Sequence, residues 1–167
     1  MSALIRDRVV VADDAVTLAD DAPLPATGTI IVSWTRWQAE QAALRASDLR
    51  VGVQIPNTLD VEAVGAELQD RPLIVLSFPA FGDGRAYSQA RLLRERHNYR
   101  GEIRASGAAV VRDQLAGMWR SGINAFALRA DQDAQLCLGA FEDFSTAYQP
   151  ALDDTLPVFL RRRRETA

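Results

Sequence analysis

From Gly28 to Tyr148 the chain alternates, five times over, between a short apolar run and a longer stretch of helical composition. The pairs are TIIVSW with TRWQAEQAALRAS, RVGVQIP with LDVEAVGAELQDR, and PLIVLSFP with RAYSQARLLRERH. GEIRASG with AVVRDQLAGMWRSG, and NAFALR with DQDAQLCLGAFEDFSTAY, complete the series. Each apolar run is continuous, as in strands buried on both faces. In LDVEAVGAELQDR, Val61, Val64 and Leu68 recur at helical spacing. Strands alternating with helices imply βαβ units, right-handed crossovers and a mostly parallel sheet. Five units are too few for a closed eight-stranded barrel, which typically takes about 250 residues. The expected fold is therefore α/β, an open, doubly wound, mostly parallel sheet of about five strands. An incomplete or open βα-barrel-like arrangement is the alternative.

The flanks of this repeat differ from it. In residues 1–25, DRVVVA and AVTLA are short β-branched runs separated by Asp13-Asp14, which predicts an N-terminal β-hairpin. APLPATG then breaks regular structure. Residues 28–148 hold the βα repeats. Residues 149–167, with Pro150, Pro157 and the run Arg161 to Arg164, lack a clear period and read as an irregular basic tail. The 167 residues suit a single domain.

Composition removes several kinds of chemistry. Net charge is -3, so nothing drives the whole chain toward nucleic acid or an anionic membrane. The 19 basic residues are all arginine, which excludes a Schiff-base lysine or a phosphate-loop lysine. An anion site must then use arginine or backbone N–H groups. One cysteine, Cys137, allows no internal disulfide and no redox dithiol. One histidine, His97, gives no conventional zinc site, and no metal site or cofactor motif is evident. MSALIRDRVVVADD lacks a signal-peptide core, and no apolar run reaches the roughly 20 residues of a membrane span, so a cytoplasmic chain is expected.

In parallel α/β folds ligands bind beyond the carboxyl ends of the strands. The richest such ends here are FPAFGDGR and RASGAA. In FGDGRAYS, Gly82 and Gly84 offer backbone freedom and Asp83 is a candidate N-cap. The helix start that follows favours an anion. Arg85 in its first turn opposes the dipole unless something negative is present. Ala86, Ala90 and Leu93 should pack on the sheet, with Tyr87, Arg91 and Arg94 on a neighbouring face. In RASGAAVVRDQ, Arg104 ends the strand and Ser106-Gly107 begins the turn, followed by Arg112 and Asp113 as an adjacent ion pair. The pattern is not G-x-G-x-x-G, so a dinucleotide fingerprint is missing. His97, near a helix end, and Cys137, among Leu136, Leu138 and Phe141, read as structural. Trp34 and Trp37 line either a pocket or the core.

The blocks FPAFGDGRAYSQARLLRERHNYRGEIRASG, VVRDQLAGMWRSGINAFALR and DFSTAYQ resemble the bacterial domain-of-unknown-function 934 family. IRDRVVVADDAVTLADD and IIVSWTRW resemble its N-terminal part. Gly82 stands where the family commonly has a threonine-like residue, Ala86 where it has glycine, and Ala108-Ala109 where members often carry a polar or acidic residue. Members are usually described as oxidoreductases of sulfite reduction. The resemblance thus implies an accessory protein of assimilatory sulfite reduction. Its ligand would be a small oxyanion, an anionic metabolite or a cofactor. Arg85, Arg91 and Arg104 would supply charge-assisted bonds, with Gly84, Ser106, Gly107, Arg112 and Asp113 around them. Asp83 would orient the loop or act as acid and base, and Tyr87 and Ser88 would donate hydrogen bonds. The competing expectation is a non-catalytic protein that docks on sulfite-reductase components through its arginine-rich surface. A homodimer is compatible with either, and an enzyme with an unassigned substrate is the third reading.

Overall fold

The computed structural model describes residues 3–153 and 155–165, the side chains of 3 and 163–165 excepted. Its strands are β1 (Ala3–Arg6), β2 (Val9–Ala12), β3 (Ala15–Thr17), β4 (Thr29–Ser33), β5 (Arg50–Ile55), β6 (Leu73–Ser77), β7 (Glu102–Ser106) and β8 (Ala125–Ala127). The helices are α1 (Trp34–Ala46), α2 (Val61–Leu68), α3 (Arg85–Glu95), α4 (Arg112–Arg120), α5 (Ala134–Leu138) and α6 (Val158–Glu165). Among the described residues the strands form one eight-stranded sheet in the order β2-β1-β8-β7-β6-β5-β4-β3. Strands β3 to β8 run parallel, and β1 is antiparallel to both β8 and β2.

Consecutive strands from β4 to β8 are neighbours, with no reversal of direction across the sheet. Right-handed crossovers then all return over one face. The sheet is therefore not doubly wound, as expected from the repeat, but a curled, mixed half-barrel. Its helix-facing residues, including Val32, Val53, Ile74, Leu76, Ile103 and Phe126, share one core with Ala86, Ala90 and Leu93 of α3 and Leu115 and Met118 of α4. The other face holds a small apolar group of Ile31, Leu73, Val75 and Ala15. A doubly wound sheet would have needed helices on that face too.

The edges explain what covers it. The edge strands β2 and β3 are consecutive in the chain, separated only by Asp13 and Asp14. Three Cα steps reach at most about 11 Å, so the edges must curl toward each other at this point. On the concave face the Arg104 guanidinium donates to Glu102 Oε1 (2.9 Å) and to Asp13 Oδ1 (3.0 Å). Arg6 Nε stands 2.9 Å from Glu102 Oε2. These charges, with Arg104 only 2% exposed, tie β1, β7 and the β2–β3 link across the inside of the curl.

The hairpin lies elsewhere than expected. It joins β1 to β2 through Asp7 (φ 48°) and Arg8 (φ 65°). Two consecutive positive φ values are those of a two-residue type I′ loop, whose twist matches the strands. Asp13-Asp14 is not its turn, because Ala15–Thr17 pairs in parallel with β4. Two further expectations change. The last long helix is only α5, followed by a 3-10 turn over Gly139–Phe141, where Phe141 packs against Trp119 and Phe126 at 6.0 and 5.5 Å between ring centroids. The tail is irregular over its first residues but ends in α6. Pro157, which starts helices readily, accepts from Leu160 N and Arg161 N at the start of α6. The side chains of Arg163 and Arg164 lie outside the described residues. Trp37 is fully buried, with the Arg45 and Arg71 guanidiniums 5.1 and 4.8 Å from its ring centroid, so it belongs to the core.

Candidate functional site

The carboxyl ends of the parallel strands gather the loops Pro56–Asp60, Phe78–Gly84, Gly107–Val111 and Leu128–Asp133 on one rim. On the concave side Ser77, Ser106 and Ala127 stand in register on β6, β7 and β8. One layer deeper, Val75 and Arg104 pair across the same strands. The Ser77 hydroxyl donates to Ile55 O (3.0 Å) and accepts from Gln54 Nε2 (3.3 Å). Gln54 and Ser77 were missed in the sequence because each sits inside a run that reads as plain strand.

Gly107 has φ +130°, and a Cβ added there would lie 2.4 Å from Phe78 O. The β7–α4 turn can close against the β6–α3 loop only with glycine at this place. Ala109 N then donates to Phe78 O at 3.1 Å. Gly82 and Gly84 differ from expectation. Neither takes a positive φ, and Gly82 has open space around its Cα.

Asp83 is not the N-cap of α3; Gly84 is, with no side-chain cap. The Asp83 carboxylate instead accepts from Arg85 Nε (2.9 Å), Arg85 Nη2 (2.6 Å) and Asn57 Nδ2 (2.7 Å). Its Oδ1 also accepts from the Arg85 backbone N–H at 3.3 Å. The negative charge that a first-turn arginine needs is thus supplied by the chain itself. Hydrogen bonds from the Arg85 side chain, against a smaller desolvation effect, hold the Asp83 carboxyl well below the usual carboxylate range. It is held ionised at neutral pH by its pairing with Arg85.

Tyr87 packs between the rim loop and α4. Its hydroxyl donates to Gln114 Oε1 on α4, and its ring meets Phe78 edge-on at 5.3 Å. Burial raises its pKa above the ordinary phenol value, so it stays protonated. Ser88 is exposed on α3. Arg91, also exposed, pairs with Glu95 at 3.0 Å. Arg94 is structural, donating to Gly122 O, Tyr99 O, Gly101 O and Asn124 Oδ1. Arg112 pairs not with Asp113 but with Asp143, at 2.9 Å. Asp113 is exposed in the first turn of α4. His97 packs on Gly65, where a Cβ would come within 2.4 Å of its ring, and Cys137 is buried.

The structure therefore splits the expected constellation. Asp83, Gly84 and Arg85 lie on the rim with Ser106 and Gly107. Arg104 lies inside the curl, bound to Glu102 and Asp13, and Ser88, Arg91, Arg112 and Asp113 belong to the helical layer. None of three surface cavities, on the α4–Phe141 side, by Asn98 and Asn124, and between α3 and α4, is lined by Asp83, Arg85 or Arg104. The last of these is bordered by Arg91 of α3, Arg120 and Ser121 at the end of α4, and Tyr148. Tyr148 is 85% exposed and Phe144 76%. Among the described residues no helix is long and apolar enough to cross a membrane.

No curated protein and no solved structure matches the chain. A family model does match, over residues 52–159, and its description is bacterial protein of unknown function (DUF934). That span runs from β5 through every rim loop to the start of α6, and on it the chain belongs to the DUF934 family.

Proposed function

We propose that the protein is a non-catalytic accessory of assimilatory sulfite reduction that works by docking on a component of the reductase. The observation that carries this reading is the state of the arginines. Arg85, Arg91, Arg104 and Arg112 each face a carboxylate of their own chain. At the start of α3 the Asp83 carboxylate already occupies the place a free oxyanion would take. Beside Arg91 and Arg120, by contrast, the large aromatic side chain of Tyr148 stands in solvent, and Phe144, close to Arg120, is exposed as well. Arginine with tyrosine and phenylalanine is the composition of interface centres. Both members of the Arg91–Glu95 pair are exposed and screened by solvent, so Arg91 can exchange Glu95 for an acidic partner residue.

The test is a calorimetric titration of the purified protein into purified assimilatory sulfite reductase. A saturable complex, weakened at least tenfold by Arg91→Glu, is expected. The absence of a complex, or one indifferent to Arg91→Glu, rejects the docking face. A second reading is favoured by Ser77 and Ser106 standing in register above Arg104, which suits a small oxyanion in the mouth of the curl. Thermal stabilisation by sulfite or sulfate, lost in Ser106→Ala, would support it over docking.

A further inference from the structure

A cavity of about 350 Å³ lies outside the sheet, enclosed by the second half of α4, the 3-10 turn and the segment that follows it. The expected site does not touch it, and the docking cleft shares only Arg120 and Tyr148 with it. Its walls are aromatic. Trp119 and Phe141 meet edge to face, and Phe144 and Tyr148 complete the lining. Three charged groups converge on this apolar space. Arg8, presented by the hairpin turn, sets its guanidinium 5.9 Å from the Phe141 ring centroid. Arg120 Nε lies 3.5 Å from Asp153 Oδ2. The Asp153 side chain is 95% buried, yet its Oδ1, like Arg120 Nε, has no hydrogen-bond partner among the described residues.

A buried carboxylate oxygen left without a donor is costly, so native proteins satisfy nearly all such atoms. An ionised carboxylate only accepts. A molecule in the cavity that brings an N–H or O–H to the Asp153 carboxylate relieves that cost. Two guanidiniums against one carboxylate leave a net positive charge, which favours an anionic group on the same molecule. The aromatic walls favour a flat ring between them. A volume of 350 Å³ is at the small end of ligand cavities, the size of a mononucleotide and not of a dinucleotide.

We propose that this cavity binds a planar, N–H-bearing heteroaromatic anion of mononucleotide size, with its ring lying against the wall formed by Trp119, Phe141 and Tyr148. Its N–H donates to Asp153 Oδ1, and its anionic group lies on Arg8 and Arg120. The site shares Arg120 and Tyr148 with the docking cleft but does not include Arg91.

The experiment is a calorimetric titration of the full chain with AMP, GMP and FMN in turn, with inorganic phosphate as control and, as a second readout, intrinsic tryptophan fluorescence compared with that of Trp119→Phe to isolate Trp119 from Trp34 and Trp37. At least one nucleotide is expected to bind in the micromolar range while phosphate does not. Asp153→Asn should weaken that binding at least tenfold, and Arg91→Glu should leave it unchanged. Phe144→Ala decides the matter if Asp153→Asn does not fold, because Phe144 lines the cavity and is mostly exposed. The proposal is overturned if no nucleotide saturates by millimolar concentration or if phosphate binds as tightly as the nucleotide. It is equally overturned if binding ignores both cavity variants.

Discussion

Single residues in this chain are set by contacts far away in sequence. Gly107 is the sharpest case, since its Cβ position is filled by the Phe78 carbonyl and its φ is +130°. Gly107→Ala should cost at least about 2 kcal/mol in urea denaturation, from strain in a nearly glycine-only region. Gly82→Ala, in open space, should stay within about 0.5 kcal/mol of the parent. Tyr99 offers a test by pH. Its hydroxyl donates to Arg71 O at 2.8 Å, and burial pushes its pKa well above the ordinary phenol value. A phenol whose folded pKa is raised stabilises the fold below its unfolded pKa of about 10, and that contribution is lost as pH rises beyond it. Denaturation at pH 8 and pH 11 should show a fall in stability that Tyr99→Phe reduces. An equal fall in both proteins would assign the effect to other groups.

At the level of elements, the helices of the rim differ in how they begin. Ser33 caps α1 by accepting from Arg36 N, and Asp60 and Asp133 cap α2 and α5 in the same way. Val111, at the N-cap of α4, has extended backbone and no cap to offer. Arg112 N already donates to Gln132 Oε1 and Gln114 N to Val111 O, so Val111→Thr adds an acceptor chiefly for Asp113 N and should raise stability by roughly 0.5 kcal/mol. A thermal midpoint that does not rise would mean that the loss of a half-buried methyl offsets the cap. The order and type of β4 to α4 were legible in the sequence because each apolar run and each amphipathic stretch reports its own period. The N-terminal elements were not. ALIR is too short to show a period of its own, and its role as a strand depends on pairing with β8, about 120 residues later. Asp7-Arg8 contains neither of the residues, asparagine and glycine, that usually announce a type I′ turn.

In the molecule as a whole, the curl decides what each strand end can do. Its inside is held by Arg104, Glu102, Arg6 and Asp13, drawn from β7, β1 and the link between the two edge strands. Removing one partner of a buried ion network leaves the others uncompensated. Arg104→Ala should therefore cost about 3–5 kcal/mol and speed amide hydrogen exchange in β3. Unchanged exchange there would show that the edges stay together without the charges. The same placement explains why Arg104 did not join a site with Arg85. Side chains alternate along a strand, so a residue near a strand end points into the curl or toward the helices, and only the rim loops face outward. The sequence shows Arg104 beside Ser106-Gly107, but not that its face is the inner one.

By itself, the sequence determined the α/β class, the succession of strands and helices from Gly28 onward, and the family, because these rest on local periodicity and on motifs that are contiguous in the chain. Only the tertiary structure decided the winding, the position of the hairpin, the pairing of Arg85, Arg91, Arg104 and Arg112, and the cavity around Asp153. Each of those depends on which distant segment meets which, and an arginine is a ligand-binding group or a spent one according to the carboxylate that folding brings to it.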